Sequence, residues 1–395
     1  MDFTKPMFAK YARLAERFAE VKAAGETPFG FRFDDILSPT RARALGREIV
    51  LAGTNNYLGL TFAPDVIAAA CDAVRRHGSG TTGSRQANGT FAEHTDLEED
   101  LRAFYDAASC IVFTTGYQTN LGAIAALAGQ GDHLLIDADS HACIYDSARL
   151  SDATTIRFRH NDPENLDRRL KRLPAEGARL VVVESLYSMF GDVAPLDEFT
   201  EVAHANGAMI FVDEAHSVGC FGPRGRGLAE AQGVLDKIDF LSGTFSKSLA
   251  SIGGFCVSRH PEFEAIRLAS RAYLFTASGS PASIASAAAA LKLIRAEPER
   301  RENLWARVHQ LHSGLKGMGF DLAADPSPVV AVKRPSMDQA VMEWNRLLKG
   351  GVYVNLAVPP ATPQGVSLLR LSVSAAHTEA DIETILRAFA GLAEG

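Results

Sequence analysis

The stretch Met209-Ile210-Phe211-Val212-Asp213-Glu214-Ala215-His216-Ser217-Val218-Gly219, followed 34 positions after Asp213 by Lys247 within Gly243-Thr244-Phe245-Ser246-Lys247-Ser248, decides how this chain is read. The first segment begins as an apolar strand and ends in a carboxylate. In open α/β sheets ligands gather just beyond the carboxyl ends of strands, so Asp213 is placed where chemistry is done. The second segment sets a lysine after a small-residue turn between two hydroxyls and before the apolar run Gly253-Gly254-Phe255-Cys256-Val257. That setting does not suit a solvated face.

Working outward, apolar runs recur at Cys110–Thr114, Leu134–Asp137, Leu180–Glu184, Ala208–Asp213, Phe240–Gly243 and Gly254–Ser258, with helix-period segments between them. Alternation of this kind predicts a mostly parallel sheet covered by helices on both faces. After Pro281 an Ala-rich helix over Ala282–Ala296 leads to shorter elements. Their strands are expected at Val329–Val332, Val352–Asn355 and Leu368–Val373, with a closing helix at Glu379–Leu392. The expected organisation is an N-terminal helical and extended segment over 1–58, a large domain over 59–285 and a smaller α+β C-terminal domain over 286–395.

Composition narrows the function. Of the 395 residues, 47% are hydrophobic and 22% charged, the balance of a globular protein, and the net charge of −7 without a basic block argues against a nucleic-acid partner. The five cysteines are dispersed and lack a C-x-x-C pair, and the histidines show no metal-ligand spacing, so packed thiols and no metal are expected. The first 20 residues interleave charge with apolar positions, unlike a secretory leader, and a cytoplasmic location is expected. Phe8, Tyr11, Leu14, Phe18 and Val21 recur at helical spacing, suiting contact with a second subunit or peripheral contact with a membrane.

Asp213 can pair with a pyridine nitrogen and keep it protonated, and the Lys247 amine can condense with an aldehyde as a Schiff base. Thr244 and Ser246 can hold a phosphate. Together they point to pyridoxal 5'-phosphate. His141, just after the run ending at Asp137, can stack on the ring, and His216 can reach its oxygen. Gly116 and Tyr117 open a helix over Asn120–Ala128 whose first amides suit a phosphate. The glycine-rich Gly78–Arg85 follows a helical stretch rather than a strand, so it is no dinucleotide site and reads either as a loop on the substrate's approach or as a plain structural turn.

These motifs, with Asn56-Tyr57-Leu58-Gly59-Leu60, Glu184–Asp192, the Gly222–Gly227 loop and Leu369-Arg370-Leu371-Ser372, resemble those of the α-oxoamine synthases, fold-type I pyridoxal-phosphate enzymes. Tyr187–Asp192, Phe275–Ser278 and Tyr353–Pro363 are most similar to bacterial members that take serine and a palmitoyl thioester. The resemblance implies decarboxylating condensation of L-serine with an acyl-CoA or acyl-carrier-protein thioester, palmitoyl-CoA giving 3-ketodihydrosphingosine. It leaves room for a relative using glycine or alanine, or for an aminotransferase. It also implies a homodimer with shared sites, in which Ser188 joins His216 at the ring oxygen and Thr276 reaches the other subunit's phosphate. Asn56, Ser84 and Arg370 fall at substrate positions, with Arg370 on the amino acid carboxylate. One departure is that Val358 stands where many members carry an arginine.

Overall fold

The computed structural model describes residues 5–23, 25–359 and 361–393. Fourteen strands run in chain order as β1 Asp35–Ser38, β2 Arg41–Ala44, β3 Arg47–Leu51, β4 Ser109–Phe113, β5 His133–Asp137, β6 Thr154–Phe158, β7 Arg179–Glu184, β8 Met209–Asp213, β9 Phe240–Thr244, β10 Gly254–Ser258, β11 Val329–Arg334, β12 Val352–Tyr353, β13 Asn355–Ala357 and β14 Ser367–Ser372. They form three sheets. The central one has the order β4-β10-β9-β8-β7-β5-β6, and only β10 runs against its neighbours.

Alternation of side chains along each strand explains why these runs read as continuously apolar. Ile111, Leu134, Ile136, Val182 and Phe211 enter a core on one face, whereas Val112, Leu135, Val181, Ile210 and Val212 enter a larger core on the other. Both faces are covered by helices, so neither half of the alternation is polar. All six expected strands of this sheet are present. The edge strand β6 carries Thr-Thr-Ile-Arg-Phe, exposed for most of its length, and its composition gave no apolar signal.

The expected helix at Ala282–Ala296 begins one residue earlier, at Pro281, with Ser280 accepting from the Ser283 amide. The helix after β4 starts at Gly116 rather than Asn120, because Thr115 caps it by accepting from the Gln118 amide. The single strand expected over Val352–Asn355 is two strands in different sheets. β12 pairs in parallel with β3, while β13 pairs with β14, itself antiparallel to β11. Strands from residues 35–51 therefore share a sheet with a segment some three hundred positions away. In the N-terminal helix Ala12–Ala23, Leu14 and Phe18 are exposed and Val21 is buried. Cys71 is exposed and the other four cysteines are buried and free.

A buried ion cluster fastens the glycine-rich stretch to the sheet. Glu98 accepts from Arg85 Nη1 at 2.9 Å, Arg267 Nη1 at 3.0 Å and the Val112 amide at 2.8 Å. Removing the shared carboxylate strands two guanidiniums in a poorly hydrated place, and breaking such a cluster costs about 3–5 kcal/mol. Glu98→Ala is expected to lose that much stability in urea denaturation followed by circular dichroism.

Candidate active site

Parallel register brings the polar ends of β7 and β8 into one row with the middle of β9. Glu184 of β7 sits opposite Asp213 of β8, which sits opposite Ser242 of β9. Beyond this row lies a cavity of about 310 Å³ whose lining includes Gly116, Tyr117, His141, Asp213, His216, Thr244, Ser246 and Lys247. Eight of the expected residues thus converge from four separate stretches of chain.

Asp213 is buried and held at both oxygens. Asn120 Nδ2 donates to Oδ2 at 2.6 Å, and the Ala215 amide donates to Oδ1 at 2.8 Å. Asn120 in turn accepts from Ser242 Oγ at 2.7 Å, so its amide orientation is fixed by the neighbouring strand. Lys247 keeps some accessible surface where it faces the cavity. Loss of hydration there lowers its amine to about 8, although Asp213 and Glu184 pull the other way. Burial pushes the Glu184 carboxyl well up, with the charge of Asp213 adding to it.

His141 caps the helix Ala142–Leu150, accepting from the Cys143 amide at Nδ1, while its own amide donates to Glu184. Its imidazole is open to the cavity in the single chain, and desolvation lowers its pKa. His216 is buried, bonded through Nδ1 to the Tyr57 hydroxyl at 2.7 Å, and burial keeps it neutral. At the other end of the cavity the Thr244 and Ser246 hydroxyl oxygens lie 2.8 Å apart beside the first turn of Gly116–Leu127. A Cβ on Gly116 would stand 2.6 Å from Thr244 Oγ1, so only glycine keeps this corner open.

The other expected residues lie outside that lining. Asn56 borders an adjoining opening that also reaches Lys247 and Ser246, and its Nδ2 donates to Thr61 Oγ1 at 2.8 Å. Arg370 Nε donates to the Ser188 carbonyl at 2.6 Å, and its Nη1 contacts Asn55 Oδ1 and Ser372 Oγ. Its charge is felt at both Lys247 and His216. Ser84 forms an isolated bridge with Ala277, and Thr276 accepts from Gln118 Nε2 at 3.3 Å. Val358 is buried after β13.

Sequence reasoning passed over Asn120, Glu184 and Tyr57 as site residues. Glu184 carried a usable signal, since its strand ends in a carboxylate as β8 does. Asn120 and Tyr57 carried none, because their roles come from contacts across 93 and 159 positions.

The residues suit pyridoxal phosphate by their own chemistry. A fixed carboxylate, a low-pKa amine and paired hydroxyls beside a helix N-terminus, all on one cavity lining, suit a pyridine nitrogen, an aldehyde and a phosphate respectively.

Residues 47–389 match the family model for aminotransferase class I and II, and the chain belongs to that family. It is 52% identical to the serine palmitoyltransferase of Sphingomonas paucimobilis over 97% of its own length and 92% of the relative's. It is 52% identical to that of Caulobacter vibrioides over 97% and 95%. A solved serine palmitoyltransferase carrying a pyridoxal-phosphate internal aldimine superposes with a TM-score of 0.97 at 49% identity, covering 99% of both chains.

Two outcomes are expected here. Gly116→Ala should displace Thr244 and weaken cofactor affinity about tenfold, roughly 1.4 kcal/mol, in an absorbance titration of the apoprotein. The neutral amine is the form that attacks an aldehyde, so the rate of cofactor capture should climb as pH approaches about 8 and level off above it. Well below that value each pH unit should cost about tenfold in stopped-flow absorbance.

Proposed function

We propose that this chain is a pyridoxal-phosphate-dependent acyltransferase that condenses L-serine with a long-chain acyl thioester such as palmitoyl-CoA. The products are 3-ketodihydrosphingosine, carbon dioxide and the free thiol, the first step of sphingolipid synthesis. The observation that carries this reading is Lys247 and Asp213 lining one cavity, in a chain 52% identical to a serine palmitoyltransferase over 97% of its length.

Pyridoxal phosphate, when bound, supplies an aldehyde for the serine amine and a conjugated ring that takes up the electrons left at Cα. The chain's own residues do the rest. Asp213, fixed by Asn120 and the Ala215 amide, offers an ionised carboxylate to the ring nitrogen. Thr244, Ser246 and the amides at Gly116 and Tyr117 receive the phosphate. His141 covers the ring face, and His216 with Ser188 serves its oxygen. Arg370, its guanidinium plane set by Ser188, Asn55 and Ser372, binds the serine carboxylate, and a planar fork suits that group. With the carboxylate pinned, the Cα–H bond is turned toward Lys247. Its amine, already drawn down to about 8, accepts the proton. Carbon–carbon bond formation to the thioester carbonyl expels the thiolate. Loss of the carboxyl group as carbon dioxide and return of a proton to Cα complete the balance.

We also read the working form as a homodimer. Phe275 is 73% exposed and Ile252, on the cavity lining, is 62% exposed, an apolar rim that a second chain would cover. Thr276, outside its own chain's cavity, would then serve the phosphate of the other subunit. Asn56 and Ser84 border the path of the substrates. We place the enzyme in the cytoplasm. Among the described residues no helix is long and apolar enough to cross a membrane, and the exposed face of Ala12–Ala23 leaves peripheral contact with a bilayer as its way to reach an acyl donor.

The test is the visible spectrum of the holoenzyme titrated separately with L-serine, glycine and L-alanine, followed by release of free thiol from palmitoyl-CoA. A response to serine well above the others, with thiol released only when serine is present, is expected. A stronger response to glycine or alanine would move the substrate. Transfer of nitrogen to a keto acid without thiol release would make it an aminotransferase. Lys247→Ala should abolish the covalently held yellow cofactor and lower turnover by about 10²–10⁴-fold or more.

A further inference from the structure

His160 takes no part in the cavity, yet it joins the segment that leads to His141 on the cavity lining to the turn that holds Arg370. It follows the edge strand β6, and its Nδ1 lies 2.8 Å from Asp137 Oδ1, its Nε2 2.6 Å from Asp192 Oδ2. An ionised carboxylate only accepts hydrogen bonds, so both contacts are made at once only when both ring nitrogens carry protons. His160 is therefore an imidazolium. Asp139 faces it at 4.0 Å, and the Tyr187 ring meets it edge-on with centroids 4.4 Å apart. Burial works against the charge, but the hydrogen bonds to Asp137 and Asp192 outweigh it and raise the pKa to about 10. Asn161 repeats the pattern, its amide donating to Asp137 Oδ2 and its Nδ2 to Asp192 Oδ2, each at 2.9 Å.

Each carboxylate anchors a different segment, one leading to His141 and the other bonded to Arg370. Asp137 ends β5, and its carbonyl accepts from the Ser140 amide, one residue before His141. Asp192 closes the turn 187–192, its carbonyl accepting from the Tyr187 amide at 3.0 Å. That turn presents the Ser188 carbonyl to Arg370. Its own freedom is small, because Gly191 has φ of +80° and a Cβ there would stand 2.3 Å from the Val329 carbonyl.

We infer that His160 is a positioning residue that fixes the separation between His141 and Arg370, and so sets how the amino acid carboxylate is presented. The inference rests on the assignment of that carboxylate to Arg370. Without the cation, Asp137 and Asp192 face each other with only Asn161 between them, and the turn that orients Arg370 is pushed away from β5.

Steady-state kinetics of the holoenzyme test this, with the cofactor spectrum recorded for each variant. His160→Ala is expected to raise KM for L-serine at least about tenfold. KM for palmitoyl-CoA should stay within about twofold and the cofactor absorbance should not change. That split would not follow from general loosening of the fold. The double variant His160→Gln with Asp192→Asn restores a neutral hydrogen-bonded link and should bring KM for serine back to within about threefold of the parent. Should His160→Ala fail to fold, Asp192→Asn alone carries the expectation of at least a threefold rise. An unchanged KM for serine, or a parallel loss of both substrates and cofactor, overturns the inference. A parent enzyme that responds to no amino acid overturns the functional reading and this role with it. A normal parent beside an unaltered variant overturns this role alone.

Discussion

The alignment of Glu184 and Asp213 at the ends of β7 and β8 with Ser242 in the middle of β9 is the constraint on which the site depends. Parallel register is set by the apolar side chains that fill both faces of the sheet, and shifting one strand by a residue would turn its whole pattern over. The core thus decides where Asp213 points. Lys247 lines the same cavity, and loss of hydration lowers its amine to about 8 against the opposing pull of Asp213 and Glu184, a range where it can exchange protons near neutrality. Packing and reactivity are consequences of the same register.

Much of this was legible in the sequence, and the reasons differ by residue. Asp213 and Lys247 could be read because each ends or follows an apolar run, so strand position implied site position. The other six strands of the central sheet, the edge strand β4 included, could be read because burial on both faces leaves no polar interruption. The edge strand β6 escaped notice for the opposite reason, since most of it faces solvent and is held by hydrogen bonds to β5 alone. Val352–Asn355 looked like one strand because its apolar alternation is unbroken. Which partner each half takes depends on β3 and β14, and neither is local.

Among side chains the same boundary holds. Asn120 orders Asp213, and Tyr57 orders His216, through contacts that no spacing rule encodes. The placement of Arg370 against the Ser188 carbonyl joins a strand of the last sheet to a turn after β7, a relation invisible until both sheets are assembled. Several residues that line the cavity sit at or just beyond strand ends. The residues that aim them come from anywhere in the chain.

The parallel pairing of β3 with β12 bears on how the chain is made. During synthesis β3 emerges early, finds β2, and leaves its other edge without a partner until Val352 and Tyr353 appear. At about 5–20 residues per second the intervening three hundred residues take roughly 15–60 s to emerge. For that interval an apolar strand edge bearing Ile49, Val50 and Leu51 is open to pairing with other chains, and closing so long a loop is among the slow steps of folding. The N-terminal sheet is thus a part of the molecule that needs shelter on the ribosome, and the chain leaving β3 runs on to Asn56, which borders the same opening as Lys247.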